Sequence, residues 1–171
     1  MISKYHRILL TVLASTLFIG SPVLFADDYR QNRVSLSGIR ACCVLVEKLT
    51  PEIEKTGLND GLIRRDVESR LQRAGIKTIK KADSNEVLGS PCLYVNASIL
   101  RLETTKEYIY SIHTAFKQDV YSMREAVTIV GAVTWSTGVT IGITGNLDRI
   151  RSSIGAQVDQ FITAYFDVNA R

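Results

Sequence analysis

Leu93-Tyr94-Val95-Asn96-Ala97-Ser98-Ile99-Leu100-Arg101-Leu102 alternates along its length. Leu93, Val95, Ala97 and Ile99 fall on one side of an extended chain, and Tyr94, Asn96 and Ser98 fall on the other. That is the pattern of a strand with one face buried and one face wet. The alternation resumes after a turn at Thr104 to Glu107. From Tyr108 to Tyr121 it places Tyr110, Ile112, Phe116 and Val120 together, opposite Ser111, His113, Lys117 and Asp119. A third run gives Val127, Ile129, Val133 and Trp135 as an inner row, opposite Thr128, Val130, Ala132 and Thr134. Three half-buried strands with short joints predict an antiparallel meander.

Upstream, Ala41-Cys42-Cys43-Val44-Leu45-Val46 is rich in residues that favour strands and predicts a strand over 39–48. Ile39, Ala41, Cys43, Leu45 and Leu49 share one face. Arg40 and Lys48 mark the face of Cys42, Val44 and Val46 as the wetter one. Thr50-Pro51 breaks the strand. Asn59-Asp60 reads as a helix cap. Ile63, Val67, Leu71 and Ala74 recur at helical spacing up to Gly75, predicting a helix over 61–74. Ile76 to Lys80 can form a short strand. Downstream, Gly138, Gly142 and Gly145 punctuate a connection. Leu147, Ile150, Ile154, Val158, Phe161, Ile162 and Tyr165 then predict a helix over 147–167. Gly155 inside it costs about 1 kcal/mol against alanine and marks a place of close packing. The order β-α-β-β-β-β-α, with one apolar stripe per helix, predicts an α+β fold: two layers, a mostly antiparallel sheet with both helices on one face.

The first 26 residues read as a cleaved export signal. Lys4, His6 and Arg7 form a basic start, Ile8 to Ile19 is mostly apolar, and Val23-Leu24-Phe25-Ala26 precedes Asp27-Asp28. The apolar run is too short for a comfortable membrane span, and no second run of membrane length follows. The expected product is a single domain of residues 27–171, periplasmic or secreted, with Asp27 to Asn32 as a loose polar leader. The signal carries Lys4 and Arg7 and no acidic residue. Without it, 19 basic residues stand against 17 acidic ones, and the net charge falls from +4 to +2. That balance, and the isolated trio Lys77, Lys80 and Lys81, argues against nucleic acid as a partner. Cys42, Cys43 and Cys92 are the three cysteines. Neighbours on a strand point oppositely, so only one of Cys42 and Cys43 can reach Cys92. A Cys42–Cys92 bridge with one leftover thiol is the expectation, against three reduced, buried thiols. The spacing fits no metal-ligand pattern, and no cofactor is implied.

Several blocks together resemble a family of small exported bacterial proteins without an assigned activity. They are Asp66-Val67-Glu68 with Leu71 and Ala74-Gly75-Ile76, Leu93-Tyr94-Val95-Asn96, Tyr110-Ser111-Ile112 with Gln118-Asp119-Val120 and Arg124, Thr134-Trp135-Ser136-Thr137-Gly138, and Val158-Asp159-Gln160-Phe161-Ile162 with Ala164-Tyr165 and Val168-Asn169. The resemblance spans about 60–169. It implies bacterial origin and export and carries no functional residue. The element order is also similar to that of periplasmic α/β domains that serve envelope assembly, a likeness of fold alone.

Catalytic equipment is thin. His113 is the one histidine beyond the signal, and Ser111 lies two positions away, about 7 Å along a strand, too far for a proton relay. Asp66 with Glu68, and Asp148 with Asp159, are not spaced as working carboxylate pairs. The chain is therefore expected not to be an enzyme but to bind an envelope or extracellular protein. The expected surface is the outer sheet face: Tyr94, Asn96, Ser98, Ser111, His113, Thr128 and Thr134. The alternative is a small-molecule or anion binder, or a hydrolase, built on a loop of Gly138, Gly142, Gly145 and Asn146 at a helix start.

Overall fold

The computed structural model describes residues 28–169; the export signal expected over 1–26 lies outside them. It is a two-layer α+β fold with six strands: β1 (Ala41–Val46), β2 (Lys77–Ile79), β3 (Cys92–Arg101), β4 (Tyr108–Ser122), β5 (Val127–Ser136) and β6 (Thr140–Thr144). Two short helical turns, α1 (Arg30–Arg33) and α2 (Pro51–Glu54), precede the long helices α3 (Asp60–Arg73) and α4 (Leu147–Val168). The sheet runs β2-β1-β3-β4-β5, with β6 also on β4. β1 is parallel to β2 and β3, and every pairing of β4 is antiparallel.

Both long helices cover one face of the sheet. Ile63, Val67 and Leu71 of α3 and Ile150, Ile154, Val158 and Phe161 of α4 join a single core with Val44, Leu93, Val95, Ile112, Phe116 and Trp135. Phe161 stacks on Phe116 and meets Trp135 edge-on, each at a 5.4 Å centroid distance. Both helix starts are capped by asparagine. Asn59 accepts from the amide of Leu62, and Asn146 accepts from that of Asp148. The helices are clipped together by Arg70 on both carboxylate oxygens of Asp159 and by Arg151 on Asp66. Gly155 is where they touch. A Cβ there would lie 2.7 Å from an Arg70 guanidinium nitrogen, so the glycine makes room for the clip.

Five expectations change, the fifth of them at residues 138–145. First, β1 presents Cys42, Val44 and Val46, not Cys43, to the core under the helices. Arg40 and Lys48, whose charge suggested a wet face, lie beyond the ends of β1. Second, the bridge is Cys43–Cys92 with 4.4 Å between Cα atoms, and Cys42 is the free thiol, so the Cys42–Cys92 pairing is corrected. The parallel register sets Cys43 directly beside Cys92, whereas Cys42 points to the opposite face and has no route to it.

Third, the inner row of β5 is real only at Trp135. β4 has 15 residues, about 50 Å of strand, and its distal half leaves the helix layer with β5. Register shifts at Phe116/Lys117 and Gln118/Val120 re-aim the ribbon, and Val127, Ile129 and Val133 are exposed. Fourth, the expected loose leader is a fitted strap. The Asp28 carboxylate accepts from the Trp135 indole and from Arg33, and Arg33 also pairs with Asp167. Asp28 is the leading reason that the Arg33 guanidinium is held more firmly protonated than usual. Further along, Asn169 receives the Gly38 amide and donates to the Leu36 carbonyl, and the Tyr165 hydroxyl donates to Ile39.

The glycine-punctuated connection of 138–145 is mostly strand β6 rather than loop. β5 and β6 run in line along the same side of β4. Ala115 pairs with Ser136 and Ile112 with Thr140, so one extra residue separates the two ladders. Gln157 of α4 braces that break. Its amide nitrogen donates to the carbonyls of Ile112 and Gly138 and to the Thr140 hydroxyl, and its oxygen accepts from Thr137. Gly142 is required two residue pairs further on. Tyr110 lies opposite it in register, and a Cβ at 142 would fall 2.5 Å from the buried tyrosine ring. Gly142→Ala is expected to destabilise by about 1–3 kcal/mol through overpacking, measured by urea denaturation. Gly145→Ala, with nothing within 4 Å of its added methyl, should stay within about 0.5 kcal/mol.

Candidate functional site

The face of the sheet away from the helices carries the expected recognition residues only in part. Asn96 pairs in register with His113, and Ser98 with Ser111; Tyr94 lies beside Ala115. These five expected residues therefore form a contiguous polar field across β3 and β4. Thr128 is not in it. It pairs with Tyr121 out on the distal ribbon, eight residues from His113 along β4, about 26 Å. Thr134 is not in it either. Its hydroxyl accepts from Gln118, which also donates to the Ser35 carbonyl, while the Thr134 carbonyl accepts from Ser35. Thr134 therefore holds the N-terminal strap, as part of the bulge that shifts the β4–β5 register.

Tyr94 is engaged locally. Its hydroxyl donates to Glu47, which is the main reason that its proton is held more tightly than in a free tyrosine. Lys117 sits 3.5 Å over its ring. This stack roofs Ala115, which is buried. Among the described residues no hydrogen bond joins His113 to Ser111 or to a carboxylate, and its register partner is Asn96. Near Cys92, the segment crossing from β2 to β3 lies over the sheet, with Lys81 reaching Ser84 and the Cys92 sulfur.

The sequence reading missed the apolar half of the face. Leu100, Ile109 and Ile143 occupy one row across β3, β4 and β6, and Ile141 stands in the next row beside Ser111. They are 59, 39, 56 and 74% exposed. No described residue covers them. Together they form an exposed apolar row on the sheet face away from the helices. The signal was present in sequence, since Ile141 and Ile143 alternate, but the glycines around them read as punctuation.

The anion-loop alternative loses its geometry. Gly142 is a strand residue beneath Tyr110, the Gly138 carbonyl is taken by Gln157, and Asn146 uses its side chain to cap α4 itself. Asp148 places a carboxylate in the same first turn, where an anionic ligand would have to sit. A groove of about 290 Å³ lies between α3 and α4, lined by Asp66, Arg70, Arg73, Asp148, Arg151 and Ser152 among others. Its charges largely satisfy one another, with Arg70 on Asp159 and Arg151 on Asp66 and Asp148. Among the described residues no group of three or more acidic, histidine or cysteine side chains is placed to hold a metal, and no helix is long and apolar enough to cross a membrane. Cys42 is fully buried and desolvation pushes its thiol up to about 12, so it is protonated and inert at neutral pH.

No family model matches the chain, and no curated protein does. Among solved structures it is similar to PelC from Paraburkholderia phytofirmans. A single-substitution variant of the PelC dodecamer aligns at 16% identity over 75% of this chain and 88% of that one, with a TM-score of 0.45. A second PelC dodecamer aligns at 15% identity over 71% and 86%, with a TM-score of 0.37. At that distance no residue role passes from one chain to the other.

Proposed function

We propose that this chain is an exported, non-enzymatic module that recognises another envelope or extracellular protein on the outer face of its sheet. The observation that carries the reading is the uncovered row Leu100–Ile109–Ile143 with Ile141, bordered by the polar pairs Asn96–His113 and Ser98–Ser111. An apolar centre with a polar rim is how protein interfaces are built. Export is supported by the leader over 1–26 and by the Cys43–Cys92 bridge, a bond that persists in oxidising compartments.

A photo-crosslinking side chain placed at Ile109 in the full-length chain tests this in cells. The expected result is a discrete adduct with a second, different protein in the envelope or medium fraction. The same probe at Arg65, exposed on the helix side, should give none. No adduct from Ile109, equal adducts from both positions, or recovery of the mature chain from the cytoplasm would overturn the reading.

A further inference from the structure

A sheet with open edges needs protection against unwanted pairing, and here β2 and β5 carry such protection while β6 does not. β2 has three residues and is followed closely by Lys80 and Lys81. β5 is broken by two register shifts, with Gly131 at a φ of 65°. β6 has neither device. From Val139 to Gly145 there is no charge and no proline. Among the described residues β6 pairs only with β4, so its other edge presents free backbone donors and acceptors. Beside that edge stand Ile141 and Ile143, both exposed.

The sequence of β6 is Thr140-Ile141-Gly142-Ile143-Thr144, which reads the same in both directions. A strand with that symmetry is complementary to itself when turned about its own centre. We propose that β6 is the docking edge for a second copy of this chain, joined by a two-fold antiparallel ladder centred on Gly142. In that register Ile141 faces Ile143 of the other copy, Thr140 faces Thr144, and glycine faces glycine. Like cross-strand pairs of β-branched side chains are favourable, and self-complementarity about a two-fold axis is what a symmetric dimer requires.

The apolar surface supports the same occupant. In the two-fold ladder the row Leu100–Ile109–Ile143 runs on into Ile141 of the second copy, so two separate apolar patches become one band. A foreign strand would cover one edge but would not supply that continuation. A ladder of five to seven residues with its side chains covers on the order of 400–500 Å² per partner, against about 800 Å² for a stable standard interface. The dimer is therefore weak and concentration-dependent. It goes beyond the proposed recognition of another protein, because it rests on the backbone edge; the face at Ile109 remains open in it.

Sedimentation of the mature protein is the first test. Monomer mass at about 1 μM should approach twice that mass at about 1 mM, as expected for a contact of this size. Ile141→Lys should abolish the shift while leaving the thermal transition unchanged, because that side chain lies largely in solvent. Register is read by cysteine trapping. Mixing Ile141→Cys with Ile143→Cys chains under oxidising conditions should give several-fold more cross-linked dimer than either chain alone. A monomer at every concentration, a dimer insensitive to Ile141→Lys, or equal trapping in mixed and single-variant samples would each overturn the proposal. A cross-link from Ile109 to a different protein bears only on the previous reading.

Discussion

Gln157→Leu is expected to lower the stability of the protein by about 3–5 kcal/mol. Gln157 is 2% exposed and its amide makes four contacts: three as donor, to Ile112, Gly138 and Thr140, and one as acceptor, from Thr137. Leucine fills a similar volume, so the loss is not a cavity. It is the desolvation of partners left unpaired, at about 1–3 kcal/mol each where no water can enter. The contacts converge on the extra residue between β5 and β6, so damage should begin there. Urea denaturation should show the lower midpoint, and hydrogen exchange should show the amides of 140–144 losing protection before those of β3. A change below about 1 kcal/mol, or a uniform loss of protection, would mean that the break is held by β4 alone.

Removal of the disulfide should have a comparable effect. The Cys43–Cys92 bridge closes a loop with a sequence separation of 49. In the chain-entropy account such a loop contributes about 4 kcal/mol by restricting the unfolded chain. Reductant, or Cys43→Ser with Cys92→Ser, should lower the urea midpoint accordingly. Cys42→Ser should not reproduce the response to reductant. Alkylation distinguishes the pairing directly. The native oxidised protein should label at no thiol, because Cys42 is buried and its pKa is raised to about 12. Denatured without reductant it should label at Cys42 only, and with reductant at all three cysteines. Labelling of Cys43 in the denatured, oxidised protein would contradict the structure.

The layers were legible because periodicity reports phase. Leu93, Val95, Ala97 and Ile99 fall inside, as their alternation requires, and Ile63, Val67, Leu71, Ile154, Val158 and Phe161 form the helix stripes beneath them. Phase alone does not say whether anything lies opposite. Val127, Ile129 and Val133 continue the alternation of Trp135, yet they extend past the end of the helix layer and meet solvent. The phase of β1 was misjudged for a related reason. Arg40 and Lys48 flank the strand rather than belong to it, so their charge says nothing of the face that Cys42 occupies. β6 was hidden by its glycine, whose purpose is to clear the Tyr110 ring, a contact across strands that local sequence does not display. Of the site, the polar field of Tyr94, Asn96, Ser98, Ser111 and His113 was readable from alternation. Thr128 and Thr134 were not, since bulges in β5 reset its register.

On the proposed export reading, the clasp at Asp28 would make cleavage of the leader sensitive to the residue at which it occurs. A signal peptidase that cuts after Ala26 leaves Asp28 second in the trimmed chain, with its carboxylate free to receive the indole proton of Trp135 and the fork of Arg33. A cut two residues later discards that acceptor. The buried indole N–H then has no counterpart, and the strap has lost its first anchor. On that reading trimming and folding would be linked, and the lone tryptophan would give an optical record of whether cleavage fell at the right bond.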